Sequence, residues 1–439
     1  MALKTEPYWW EAIDRESLSQ SEFADEYDVV VVGAGLTGSS AARTLAKNGA
    51  SVLVLDAQDV AFGASTRNGG MIGEGHRVPL ATLQRKYGDE TGRAILQEIY
   101  TEPLAFAKNM IEEENLDCDF HTYGRFRGQW NQAQYDDTAR SLDDLRKIAP
   151  LNLEMVPREK QHDEIGTDFY TGGLLLHDHG GLHPGKYTAG IIQAAQRAGA
   201  TAQGNTGATF CGNTRVTNVA PSGSGFQVTT DRGNVRAGSV LMATNGYTTN
   251  NFSWLKRRVF PPIVYMIVTE ELPAEIIEEI MPGKRMCVET RIRHCYYRLS
   301  PDGKRLMIGA RASLTNIPHE TAANIIRGLM VGIFPQLKDA KITHCWNGQT
   351  GFSFSFMAHL GQHNGIWHAL GYSGSGNGMA PYLGHKAALN ILGLPGRETN
   401  FTKTTLETKA WYQGWPWFLP IAQKLYRLQD FKENMTRGK

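Results

Sequence analysis

Cysteine is scarce in this sequence: five in 439 residues, at positions 118, 211, 287, 295 and 345, with no CxxC pair. An odd count without paired spacing excludes a disulfide framework and a zinc ribbon, and it fits a reducing compartment. Excess charge is missing too. Lys and Arg total 45 against 44 Asp and Glu, a net +1, so bulk electrostatics offers no argument for nucleic acid or an anionic membrane as partner. No window reaches about 18 consecutive apolar residues, the length a spanning helix needs. Residues 1–20 (MALKTEPYWWEAIDRESLSQ) hold four acidic residues and no apolar core, unlike a secretory signal. A cytoplasmic chain is the expectation. With 41% hydrophobic and 20% charged residues the composition is globular, and the length predicts two to three domains or one interleaved pair.

Glycine is abundant, 47 residues against an ordinary share of about 7%, and it is clustered. Residues 29–32 (VVVV) form a continuous apolar run, the pattern of a strand buried on both faces of a parallel sheet. The run leads into residues 33–38 (GAGLTG), an Ala/Leu-rich helical stretch over 39–47, and a second strand over 51–55 that ends on Asp56. Strand, Gly-x-Gly-x-x-Gly, helix, strand and acid occur in the order a dinucleotide fold requires. Gly33 makes the turn, Gly35 lets backbone approach a pyrophosphate, and Gly38 lets helix and strand pack, with the helix N-terminus toward the phosphates. Asp56 follows Gly33 by 23 positions, near the roughly 20 expected of a ribose-hydroxyl acceptor.

Residues 62–70 (FGASTRNGG) resemble the second flavin-contacting segment of the D-amino-acid oxidase-like (DAO) FAD oxidoreductases, in the form typical of the gamma-glutamylputrescine oxidoreductase branch. Small residues there let backbone amides crowd a flat ring and its phosphates. The resemblance runs on through residues 180–187 (GGLHPGKY), 240–246 (VLMATNG), 296–298 (YYR), 306–309 (LMIG) and 371–378 (GYSGSGNG), with YWW at 8–10 and YRLQD at 426–430. It implies an α/β fold: a Rossmann-like, glutathione-reductase-type FAD-binding domain over 25–80, 172–250 and 340–395, interleaved with an α+β substrate domain over 81–171 and 251–339 on a mostly antiparallel sheet. Residues 1–24 and 396–439 are then terminal arms. FAD is the implied cofactor. The implied contacts are Gly33, Gly35, Leu36, Thr37, Gly38, Asp56 and Ala57, then Gly63, Ala64, Ser65, Arg67, Asn68, Gly69, Gly70 and Met71. Val216 at the adenine, Gly348, and Gly374, Ser375, Gly376, Asn377, Gly378 and Met379 complete the set.

An internal repeat has six identities in eight positions: GATAQGNT at 199–206 and GATFCGNT at 207–214. Eight residues is far below a solenoid period, so a local duplication is the reading, and the resemblance makes the second copy the structural one. His177, His179 and His183 match no zinc spacing, and no metal is expected. The catalytic candidates are His76, His294 and Tyr297. Glu74, Tyr265 and Ser375 are candidates for the substrate wall.

The implied chemistry is hydride transfer from the carbon of an amine, C–N bond to imine and then aldehyde, on a gamma-glutamylated or otherwise extended substrate. Sarcosine-oxidase-like relatives carry a substrate-anchoring lysine where this chain has Gly378, and a histidine where it has Ser375. They also place an oxygen-activating lysine at the position of Met307, so dehydrogenase-like behaviour toward an acceptor other than oxygen is expected. The alternatives are an amino-acid oxidase or dehydrogenase anchoring a carboxylate through Arg77, Arg127 or Arg293, and a flavoprotein of this fold acting as an assembly or binding factor. Cys345 is read as a buried structural residue. Residues 411–420 (WYQGWPWFLP) are expected to form a packed C-terminal arm, with peripheral membrane contact the lesser reading.

Overall fold

The computed structural model describes residues 2–73, 78–199 and 207–436. Its centre is the valine run. Strand Glu26–Val32 pairs in parallel with Val52–Leu55 on one side and Gly233–Met242 on the other. Thr209–Cys211 and Ile366–Leu370 extend the parallel sheet, and antiparallel His359–His363 closes one edge. Alternation explains why every valine is apolar. Val29 and Val31 pack with helices Leu36–Lys47, Pro184–Arg197 and Gly376–Leu392, whereas Val30 and Val32 pack with Val216, Val228 and Val235 of a three-strand meander. Both faces are dry, as a parallel sheet demands.

A second sheet runs in the order Ile342–Gln349, Ile263–Thr269, Leu306–Ala310, Tyr296–Leu299, Met286–Glu289, Arg125–Gly128, Gly173–Leu176, Leu153–Val156. All its pairings are antiparallel except Met286–Glu289 with Arg125–Gly128. One face (Phe126, Tyr265, Ile267, Tyr297, Ile308) packs on helices Ala274–Ile280 and His319–Ile333. The other face turns toward the first sheet's ligand-binding end.

Two expectations change, the domain of two strands and the packing of the C-terminal arm. Gly173–Leu176 and Ile342–Gln349 were assigned with the dinucleotide part, yet both are strands of the second sheet. An all-buried run such as GLLL carries no alternation to say which sheet it joins. The C-terminal arm is packed only on its inner side. Tyr412 meets Phe354 edge-on and Phe418 lies tilted against it, while Trp411, Trp415 and Trp417 remain 49%, 76% and 47% exposed. Of the repeat, the second copy forms strand Thr209–Cys211 beside Val52–Leu55, and residues 200–206 of the first copy lie outside the described residues. Among the described residues no helix is long and apolar enough to cross a membrane.

Candidate active site

A cavity of about 1000 Å³ lies between the two sheets, at the upper end of the range of small-molecule and cofactor pockets. Its first wall is the glycine turn. Gly33 adopts φ +111°, and a Cβ there would meet the Ala243 carbonyl oxygen at 2.8 Å; one on Gly38 would lie 2.0 Å from the Gly33 oxygen. Only glycine lets strand, turn and helix close together here. Helix Leu36–Lys47 begins at the cavity, so its first amides face it.

Asp56 lines the same wall. Its Oδ2 accepts from the Ala34 amide (2.9 Å) and its Oδ1 from the Gln58 amide (3.0 Å). Burial pushes its pKa up, and these backbone donors pull it back. The carboxylate therefore points at the turn, with acceptor capacity left for a hydroxyl.

The second wall is residues 62–71, tied down from several directions. Leu36 N donates to Ser65 Oγ (2.9 Å). Asn68 Oδ1 accepts from Gly70 N (2.8 Å) and from Asn377 Nδ2 (2.9 Å), which also donates to the Met71 carbonyl (2.9 Å). The N-terminal tryptophans serve this segment: Trp9 Nε1 donates to the Asn68 carbonyl (2.8 Å), and Trp10 Nε1 to Thr66 Oγ1 (2.9 Å). Trp346 Nε1 donates to the Arg67 carbonyl (2.9 Å). Residues 374–378, at the start of helix Gly376–Leu392, close the third side. Two helix N-termini, a carboxylate and two backbone-rich loops around one cavity fit FAD.

Most of the anticipated cofactor residues line this cavity: Gly33, Gly35, Leu36, Thr37, Asp56, Ala57, Gly63, Ala64, Ser65, Arg67, Asn68, Gly69, Met71, Val216, Gly348 and residues 374–378. Three stand behind the lining. Gly38 packs against the turn, Gly70 presents its carbonyl to Arg298 (2.9 Å), and Met379 is buried core.

The fourth wall is the second sheet, and strand parity sorts the aromatic candidates there. Tyr296 lines the cavity. Tyr297 points to the opposite face, where its hydroxyl donates to that of Tyr170 (3.0 Å). Tyr265 is corrected in the same way: it is fully buried, its hydroxyl 3.1 Å from both Asn316 Oδ1 and the Ile317 carbonyl. Its neighbour Val264 is the residue at the cavity. The period-2 rule carries this signal, and it needed only one strand's inward residue to be known. His294 does line the cavity, at φ +49°, with Nδ1 2.9 Å from the Glu289 carbonyl. His76, Glu74 and Arg77 lie outside the described residues. Arg293 is paired with Asp430 (3.8 Å), whereas Arg127 lines the cavity, as do Arg125 and Arg311. Met307 is sealed under Trp9 in a cluster with Met266, Val268 and Trp346. The C-terminal arm adds Phe418, Leu419, Ala422 and Tyr426 to the wall, a contribution no motif announced.

The family model described as FAD dependent oxidoreductase (DAO) matches residues 28–389. Gamma-glutamylputrescine oxidoreductase of Escherichia coli (strain K12) is 30% identical over 352 residues, 80% of each chain. Among solved structures, glycine oxidase from Geobacillus kaustophilus superposes with a TM-score of 0.69 at 20% identity, covering 88% of this chain and 99% of that one. L-proline dehydrogenase from P. horikoshii gives 0.68 at 18% identity, covering 87% and 97%. With its glycine turn, Asp56 and two-sheet cavity in place, the chain belongs to the DAO family of FAD-dependent oxidoreductases.

Proposed function

We propose that this protein oxidises the C–N bond of an extended amine, such as a gamma-glutamylated one. The carbon loses a hydride equivalent and the nitrogen a proton, leaving an imine that water hydrolyses to an aldehyde. Bound FAD supplies the two-electron acceptor. In this reading residues 33–38 hold the phosphates, Asp56 the ribose and Val216 the adenine edge. Residues 63–71, Gly348 and 374–378 surround the ring, and His294, Ser375 and Tyr296 face the substrate.

The supporting observation is the chemistry of the cavity wall. Among the described residues Asp56 is its one carboxylate, and that group is already bonded to turn amides; no lysine lines it. Proton loss from the amine then rests on desolvation. An alkylammonium has a pKa near that of lysine, about 10.4, and an apolar wall of Val264, Ile292, Phe260 and Phe352 disfavours the charge. The face of Tyr296 can hold the cation on entry. Similarity to a gamma-glutamylputrescine oxidoreductase supports the extended amine over a simple amino acid. An acceptor other than oxygen fits the apolar Met307.

The test is an anaerobic screen of amines and amino acids, watching flavin absorbance bleach. Bleaching by long amines and not by glycine or sarcosine is expected. Bleaching by short amino acids alone replaces this reading with amino-acid oxidation, and no bleaching at all favours a binding role.

A further inference from the structure

The ligand-facing side of the second sheet carries a row of side chains whose register is fixed by strand pairing. Met266 opposes Gly309, Gly309 opposes Tyr296, Tyr296 opposes Val288, and Val288 opposes Arg127. All point to one face, because paired residues share it. Tyr296 lies against the segment that forms the second wall: a Cβ on Gly69 would be 2.8 Å from its ring. Arg127 stands two strands further out.

Arg127 is an unusual residue to find there. It lines the cavity, and its Nε is buried with no hydrogen-bond partner among the described residues. Burial lowers its pKa, and the one group opposing that is Tyr100, not a carboxylate. The acid nearest along the sheet, Glu289, points to the other face. There it accepts from Arg291 Nε (3.0 Å), Tyr170 (3.0 Å) and the Cys295 amide (2.7 Å). Arg125, two residues earlier and on the same face, lines the cavity too, as does Arg311, whose guanidinium lies over Tyr426. A guanidinium so placed is costly unless an anion joins it.

We propose that Arg127 is the anchor for a carboxylate at the far end of the substrate, and that the row from Tyr296 to Arg127 sets the substrate's length. This rests on the amine-oxidation reading above. Two strand spacings of about 4.8 Å separate the Tyr296 and Arg127 backbones by about 10 Å, and their side chains leave the same face. An extended chain advances about 1.2 Å per bond, from roughly 3.6 Å per three-bond residue, so the carboxylate stands about eight bonds from the oxidised carbon. An α-amino acid, with its carboxylate attached to that carbon, cannot reach both ends. Val288, between them, offers apolar contact for methylenes. Specificity of this kind follows from a buried charge left unpaired by the wrong substrate.

The experiment uses the FAD-loaded enzyme and a series of ω-amino carboxylates from γ-aminobutyrate to ω-aminododecanoate, with alkylamines of equal length, in anaerobic flavin reduction. Binding of ω-hydroxydecanoate, which has no amine to oxidise, is followed in parallel by perturbation of the flavin spectrum. The wild type should favour the longer carboxylates at least tenfold over matched alkylamines. Arg127→Met should raise the carboxylate KM at least tenfold, leave the limiting reduction rate within about twofold, erase the preference for carboxylates over matched alkylamines, and abolish hydroxydecanoate binding. Equal losses on carboxylates and alkylamines, or an optimum at the shortest members, overturns the proposal. If no amine reduces the flavin but hydroxydecanoate binds in an Arg127-dependent way, the anchor stands and the amine reading falls.

Discussion

The ring of Tyr296 is held between Gly69 and Gly309: a Cβ on Gly69 would lie 2.8 Å from Tyr296 Cε2, and one on Gly309 2.1 Å from its Cζ. A loop glycine and a strand glycine thus crowd one ring at the junction of cofactor cradle and substrate wall. Gly69→Ala should overpack this contact, at about 1–3 kcal/mol, and lower flavin occupancy of the purified protein. The double variant Gly69→Ala/Tyr296→Leu should regain thermal stability without regaining activity. Full activity in Gly69→Ala would show that the ring is free to move.

Tyr296 and Tyr297 are adjacent, and their substitutions should separate cleanly. Tyr297→Phe removes a buried hydroxyl pair with Tyr170, worth about 1 kcal/mol, while Tyr170 keeps its bond to Glu289. The expected result is a lower urea midpoint with unchanged kcat and KM. Tyr296→Leu, which removes the ring face that holds the cation, should lower kcat/KM. A reversed pattern would mean that the strand's parity is misread.

Asp56 carries a prediction about pH. Without ligand its pKa is raised, mainly by burial. A raised folded pKa means that protonation favours the fold, so this residue's contribution to apoprotein stability falls as pH rises through the raised value. FAD affinity should run the other way, because the ionised carboxylate makes the stronger bond to a ribose hydroxyl. FAD titrations should therefore show weaker binding as pH falls through that range, and a flatter profile in Asp56→Asn. Asp56→Ala should cost about 1.5–3 kcal/mol of FAD binding. A pH-independent affinity in the wild type would remove Asp56 from the ribose.

The first dinucleotide unit was legible because each requirement is local. Turn, helix start and acid occupy one stretch from Val29 to Asp56, and the glycines have no substitute. The substrate wall was not, for two physical reasons. Tyr297 and Tyr296 are chemically alike, and only cross-strand pairing through Gly309 and Val288 fixes which one turns inward. The C-terminal helix Leu419–Thr436 reaches the cavity through Leu419, Ala422 and Tyr426, a contact between segments that share no pattern. Arg127 is visible in the sequence as one of three candidate carboxylate anchors, beside Arg77 and Arg293. Its place in the row could come only from the strand order.

Met307 tests how far family positions transfer. Oxygen-activating relatives resemble this chain with a lysine at that position, which would suggest Met307→Lys as a gain of oxygen reactivity. The surroundings argue otherwise. Met307 is fully buried against Trp9, Met266, Val268 and Trp346, and Trp9 is fixed by its bond to the Asn68 carbonyl. An ammonium there would lose its hydration inside an apolar cluster, which depresses the lysine pKa. A base whose folded pKa falls below its unfolded value of about 10.4 contributes a penalty at neutral pH that shrinks as pH rises toward that value. Met307→Lys should therefore melt several degrees below the wild type at pH ~7 and less far below it at pH ~9, with no faster turnover in air. Met307→Leu, close in volume, should cost less than about 1.5 kcal/mol with no such pH dependence. A lysine variant as stable as the wild type at neutral pH would show that the cluster opens to water, and the family's oxygen site would then be available here after all.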